Sequence, residues 1–171
     1  MAAAATPDST GDNTRENAGR AAQAGGQYST FFVKNLFFGI DVLQVQEVLR
    51  YQEMTRVRLA PSVVAGLINL RGQIVTAIDM RRRLGLSPRT DDETPMNMVV
   101  RTEDGPVSLL VDEIGDVVEV GADTLDRPPE NVDRAARDLI QGVHKLKDRL
   151  LLILDATKTV DLSVGGTAQL E

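Results

Sequence analysis

Ala60-Pro61-Ser62-Val63-Val64-Ala65-Gly66-Leu67-Ile68-Asn69-Leu70-Arg71-Gly72-Gln73-Ile74-Val75-Thr76-Ala77-Ile78-Asp79-Met80-Arg81 is the stretch of this 171-residue chain on which the fold turns. Pro61 presets a turn start, and Gly66 relieves the chain before Leu67. Asn69 and Gly72 can take the positive φ that a tight turn requires. Gln73 to Ile78 then reads as a buried strand running into Asp79, whose side chain can cap a helix opening at Met80. Gly85, with Pro88 beyond, fits the end of a helix only about two turns long. Arg71 is thereby placed on a turn beside a buried strand.

Outward from this stretch the same grammar continues: short β-branched or leucine-rich runs separated by turn signals, as in a closed all-β architecture. Further candidate strands are Ser29 to Lys34, Phe37 to Val42, Met96 to Arg101, Val107 to Val111 and Arg149 to Leu154, and Leu43 to Leu49 reads as an edge run. Glu103-Asp104-Gly105 and Lys147-Asp148 are short enough to be hairpin loops. Asp155 opens a short element through Val160, as Asp79 does at Met80.

Those two aspartates lie 76 positions apart, and near that offset Gly66 matches Gly142, Leu70 matches Leu146 and Arg71 matches Lys147. Ile40-Asp41 resembles Val111-Asp112 at a nearby spacing. The pattern predicts an internal duplication of two five-strand-sized units, residues 28–86 and 96–162, joined by Leu86 to Pro95. Each alone offers too little core for independent stability, so the two must pack together. Residues 1–26 lack apolar periodicity and read as a disordered tail, and 163–171, with Gly165-Gly166, as a fraying end. The domain proper is therefore expected over 27–162.

Composition narrows the chemistry. Without cysteine there is no disulfide framework, thiolate metal site or cysteine nucleophile, and a reducing compartment is the natural reading. Met1 and its alanines lack the basic start and long apolar core of an export signal, and runs such as Leu150 to Leu154 are too short to cross a bilayer. A soluble cytoplasmic protein is expected. The net charge of −6 opposes a phosphate backbone.

Catalysis has no visible apparatus. His144 is the sole histidine, with no serine or carboxylate placed beside it by sequence, and reads as a turn or strand residue. Asp41, Asp79, Asp112 and Asp155 each stand where a strand ends or a helix begins, which capping explains better than acid–base chemistry. No nucleotide, zinc or calcium motif occurs. Arg81-Arg82-Arg83 reads as a solvated face rather than a polyanion site. Arg71 suits a charge-assisted contact, with Glu47 of the edge run as an internal ion-pair partner or a companion in binding.

The Asn69-Leu70-Arg71-Gly72 turn, the strand Ile74 to Ile78 and Asp79-Met80-Arg81 together resemble the signature of the CheW family of chemotaxis coupling proteins. A second block, Phe38-Gly39-Ile40-Asp41-Val42-Leu43-Gln44-Val45-Gln46-Glu47-Val48, resembles that family's Tyr-Gly-Ile-Asp segment. Val111 to Val117 and Arg127-Pro128-Pro129-Glu130 extend the likeness over roughly residues 27–162. Departures are Phe38 for tyrosine, Lys34-Asn35 for a Gly-Asp-like turn, Met80 for leucine and Glu113 for a common glycine.

The resemblance implies a mainly β fold of two packed, intertwined five-stranded β-barrel subdomains of the CheW-like or SH3-like kind, with short helices. It implies a non-catalytic adaptor, needing no cofactor or metal, that couples chemoreceptor cytoplasmic tips to the regulatory domain of a CheA-type histidine kinase. Such a protein would be cytoplasmic and recruited to receptor arrays at the membrane. It places protein contacts at Val45, Glu47 and Arg71 in the first barrel and at Ile114 and Val117 in the second. Core burial competes with binding for Ile114 and Val117. A five-stranded barrel binding a small ligand or oligonucleotide is the rival class, and two tyrosines and four phenylalanines leave little aromatic surface for stacking. A hydrolase would have to use carboxylates outside any known motif.

Overall fold

Leu70 pairs with Gln73 across a two-residue turn in which Arg71 and Gly72 have φ of 52° and 86°. Positive φ at both central residues is the type I′ geometry, whose twist matches that of the strands it joins. The positive φ expected at Asn69 falls instead on Arg71. Asn69 stays in the strand opposite Ile74, and its Oδ1 accepts from the Gly72 N–H at 2.9 Å.

The computed structural model describes residues 25–121 and 125–163, so the expected tails lie almost wholly outside the described residues. Its strands are β1 (Gly26–Val33), β2 (Leu36–Asp41), β3 (Val45–Leu49), β4 (Val64–Leu70), β5 (Gln73–Asp79), β6 (Met96–Thr102), β7 (Gly105–Val111), β8 (Glu113–Val120), β9 (Leu125–Asp126), β10 (Ile140–Lys145) and β11 (Leu150–Leu154). Three short helices, α1 (Met80–Arg83), α2 (Arg134–Arg137) and α3 (Ala156–Val160), punctuate them. The front of the expected edge run, Val42–Gln44, is a 3-10 turn, because Asp41 Oδ1 accepts from the Leu43 N–H at 2.9 Å. Asp79 caps α1 as expected, and Gly85, with φ 72°, ends it. The Gly85 N–H reaches the Arg82 carbonyl and the Leu86 N–H the Arg81 carbonyl, the Schellman pattern.

Two sheets result, ordered β8-β1-β2-β11-β10-β9 and β3-β6-β7-β5-β4. Hairpins are antiparallel, while each sheet has one parallel junction, β2 with β11 and β5 with β7. The duplication is visible in this arrangement. Positions in one order map onto the other as β1 to β6, β2 to β7, β11 to β5, β10 to β4 and β8 to β3. The sequential division at 86–96 is nevertheless not how the sheets divide. The first hairpin of each half joins the last hairpin of the other half, so the units are exchanged. The duplicated glycines mark the same feature twice: the ladder slips a residue between Val64 and Gly66, and again between Ile140 and Gly142.

One continuous core explains why neither half can stand alone. Phe31 and Phe38 stack at 5.5 Å between centroids and share a cluster with Ile78, Met98, Leu109, Leu152 and Leu154, drawn from both sheets, while Met80 and Leu84 of the α1 region plug it. Fully burying such side chains contributes about 1.5–3 kcal/mol each.

Candidate protein-binding site

Glu47 stands on β3 and Arg71 on the β4–β5 turn, at opposite ends of one ladder. The sheet curls until they meet: Arg71 Nη2 lies 2.9 Å from Glu47 Oε2 and Nη1 3.3 Å from Oε1, a forked contact. The Arg71 side chain is 79% exposed and that of Glu47 17%. An exposed pair of this kind contributes only about 0–1 kcal/mol. Its main effect is orientation, since the largely covered carboxylate holds the guanidinium in one direction at the tip of a rigid turn. Val45 shares the half-buried side of β3 with Glu47, pairs with Val100 and packs against the core.

Ile114 and Val117 lie on β8, the strand of the other sheet that corresponds to β3. They are not presented alike. The register slips between Ser29 and Phe31, leaving Gly115 and Asp116 as an irregularity between Ile114, opposite Phe31, and Val117, opposite Ser29. Ile114 is half-buried against the core and lines a cavity of about 480 Å³ with Phe37 and Val118. Val117 is 57% exposed. Core burial thus accounts for part of Ile114 and none of Val117.

Of the basic run only Arg82 is exposed, so the solvated face expected for all three arginines holds for one of them. Arg81 is 4% exposed, its Nε donating to both Asp112 carboxylate oxygens at 3.0 Å and its Nη1 and Nη2 to Glu93 at 2.9 and 3.2 Å. Arg89 bridges Asp79 and Asp112 from the other side at 2.8 and 2.9 Å. Asp112 is therefore an ion-pair hub rather than a cap, and it also accepts the Lys34 N–H at 2.6 Å. Arg83 donates to the carbonyls of Lys158, Thr159 and Asp161 at the end of α3. Burial alone would lower the Arg81 pKa, but its hydrogen bonds to Glu93 and Asp112 and the charges of those carboxylates outweigh it, and the net shift is upward. The same Arg81 contact, with the Thr90 N–H, holds the Glu93 carboxyl down to about 2. Sequence reading missed this network because its acids lie 12 and 31 positions from Arg81.

His144 is buried in β10, its ring 5.8 Å from that of Tyr28, which agrees with a strand residue. Among the described residues no group of histidine and carboxylate side chains could hold a metal ion, and no helix is long and apolar enough to cross a membrane.

Residues 27–163 match the family model described as a CheW-like domain. The chain is 33% identical over 147 residues to the chemotaxis protein CheW of Bacillus subtilis, covering 85% of this chain and 94% of that one. It is 31% identical over 134 residues to that of Klebsiella aerogenes, covering 78% and 81%. Among solved structures, the scaffolding protein TtCheW from Thermoanaerobacter tengcongensis superposes with a TM-score of 0.68 at 25% identity, over 77% of this chain and 89% of that one. With the family model spanning both exchanged sheets, this chain belongs to the family of CheW-like domain proteins.

Proposed function

We propose that this protein is a non-catalytic chemotaxis scaffold that couples chemoreceptor cytoplasmic tips to the regulatory domain of a CheA-type histidine kinase. The observation that carries the reading is Arg71: a charged side chain held on a left-handed turn residue, 79% exposed, and aimed by Glu47 while adding little to stability. An oriented guanidinium of this sort suits docking to a partner's carboxylate or carbonyl. Val45 and Glu47 form the shoulder of that surface. Ile114 and Val117 on β8 form a second one, where Val117 and the Ile114 cavity offer apolar contact to a receptor helix. The functional unit is residues 27–162, acting in the cytoplasm at receptor arrays.

The test is a pull-down of the purified protein against a CheA-type regulatory domain and, separately, a receptor cytoplasmic fragment from the same organism, comparing wild type, Arg71→Glu and Val117→Asp. The expected outcome is loss of kinase binding in folded Arg71→Glu and of receptor binding in folded Val117→Asp. Wild-type protein that captures neither partner sinks the proposal.

A further inference from the structure

Among the described residues three other than glycine have positive φ: Lys34, Leu59 and Arg71. Lys34 and Arg71 sit in two-residue hairpin turns, whose geometry calls for it. Leu59 does not. It has φ 63° in the connection between β3 and β4, and its side chain is fully exposed, at 105% of the reference area. A leucine there carries the steric cost of a left-handed backbone that glycine or asparagine would avoid, while its side chain is left in solvent.

The segment around Leu59 is nonetheless firmly framed. On one side Thr55 exchanges backbone hydrogen bonds with Leu67 at 2.9 and 2.8 Å. On the other, Arg82 Nη1 donates to the Ser62 carbonyl at 2.9 Å and the Asp79 N–H to the Val63 carbonyl at 2.8 Å. Between these anchors the chain displays Arg56-Val57-Arg58-Leu59, with both arginines exposed and Val57 43% exposed. Tyr51, 46% exposed, and Val57 line an adjoining cavity of about 600 Å³, in which Arg82 and Arg89 face Asp79, Asp91 and Glu93, so the unbalanced positive charge is that of Arg56 and Arg58. This end of β4 is opposite the Arg71 turn, six residue steps or about 20 Å away along the strand.

We infer that the 56–59 loop is a second protein-docking surface, and that it takes an acidic segment of another protein with an apolar side chain seated beside Leu59. Paired arginines flanking apolar anchors, in a chain whose net charge is −6, concentrate positive potential where most of the surface repels acids. A preorganised loop also lowers the ordering cost of binding. An anionic bilayer fits less well, because the net charge opposes approach to it and the adjoining feature is concave.

The experiment uses the full chain, isotope-labelled for amide NMR, titrated with a short fluorescein-labelled peptide of alternating Glu and Leu. A matched peptide with Lys for Glu and phosphatidylglycerol vesicles serve as comparisons. Shifts are expected at residues 51–59 and 82–89 with the acidic peptide only. The Arg56→Glu/Arg58→Glu double variant should weaken binding at least about tenfold, while Arg71→Glu binds like wild type. Leu59→Gly should also weaken binding, yet raise Tm by roughly 2–4 °C, since glycine accepts the positive φ. No peptide binding by wild type, equal binding by the double variant, or a lower Tm in Leu59→Gly would overturn the inference. So would vesicle binding or self-association that the double variant abolishes, by assigning the loop to a lipid or to a second copy.

Discussion

Thr55 and Leu67 exchange backbone hydrogen bonds at 2.9 and 2.8 Å, joining the chain that leaves β3 to β4, at the far end of the same sheet. The bridge rolls that sheet toward a barrel. The other sheet repeats the device, because β9, which begins five residues beyond the end of β8, pairs with β10 at the opposite edge. Both closures run past a glycine.

Gly66 is the tighter of the two glycines against fixed atoms. A Cβ there would lie 2.7 Å from the Thr55 carbonyl oxygen, backbone that cannot swing aside. Gly66→Ala should therefore destabilise by about 1–3 kcal/mol, the usual range for forced overpacking, read as a lowered urea midpoint. At Gly142 the clash is with the Leu125 side chain at 2.5 Å, which can rotate, so Gly142→Ala should cost less. Equal costs would mean that the Thr55 backbone yields as readily as a leucine rotamer.

The Arg71–Glu47 pair separates stability from binding. Arg71→Glu sets two carboxylates together on an exposed rim and should cost no more than about 1 kcal/mol. The exchanged double variant, Arg71→Glu/Glu47→Arg, should recover that loss in a double-mutant cycle without recovering kinase capture. The exchange restores the attraction between the two side chains but reverses the charge offered to a partner. Capture restored by the exchange would show that the pair acts only by holding the sheet ends together.

What the sequence could show about these features depends on range. The Arg71-Gly72 hairpin, the Asp79 and Asp155 caps and the end of α1 at Gly85 are written in a few adjacent residues, and they were legible. So was the pairing of Arg71 with Glu47, an exposed turn cation and an edge carboxylate with few local alternatives. The exchange of hairpins between halves was implied only by the family resemblance, since a duplicated pattern specifies two similar units without saying which hairpin joins which. Arg81 looked like surface because its neighbours are arginines, whereas Glu93 and Asp112 arrive through tertiary folding. A lone exposed leucine such as Leu59 carries no periodicity, and only its backbone angle distinguishes it.

Glu93 gives the network a pH signature. Arg81 holds the folded carboxyl near 2 against an ordinary 4.5, so protonation favours the unfolded chain. The contribution is complete above about 4.5 and is lost as pH falls toward 2. Glu93→Gln should flatten the stability–pH curve across that window and leave its shape near neutrality unchanged. An unaltered acid limb would mean that other carboxylates govern acid unfolding.

Asp112 is the position where the network is most exposed to damage. Its carboxylate serves Arg81 at 3.0 Å, Arg89 at 2.9 Å and the Lys34 N–H at 2.6 Å, and the Arg81 and Arg89 side chains are 5% and 9% exposed. Asp112→Ala leaves both buried guanidiniums under-paired and should cost about 3–5 kcal/mol. Replacing the Arg81–Asp112 pair tests whether charge or shape matters. Arg81→Met with Asp112→Leu removes that pair together, leaves Arg89 held by Asp79 at 2.8 Å, and should restore part of the loss, because desolvated pairs often contribute little net stability. Urea midpoints for the single and double variants decide this. A double variant no more stable than Asp112→Ala would mean that the ion network, rather than apolar filling, fixes the junction between the two sheets.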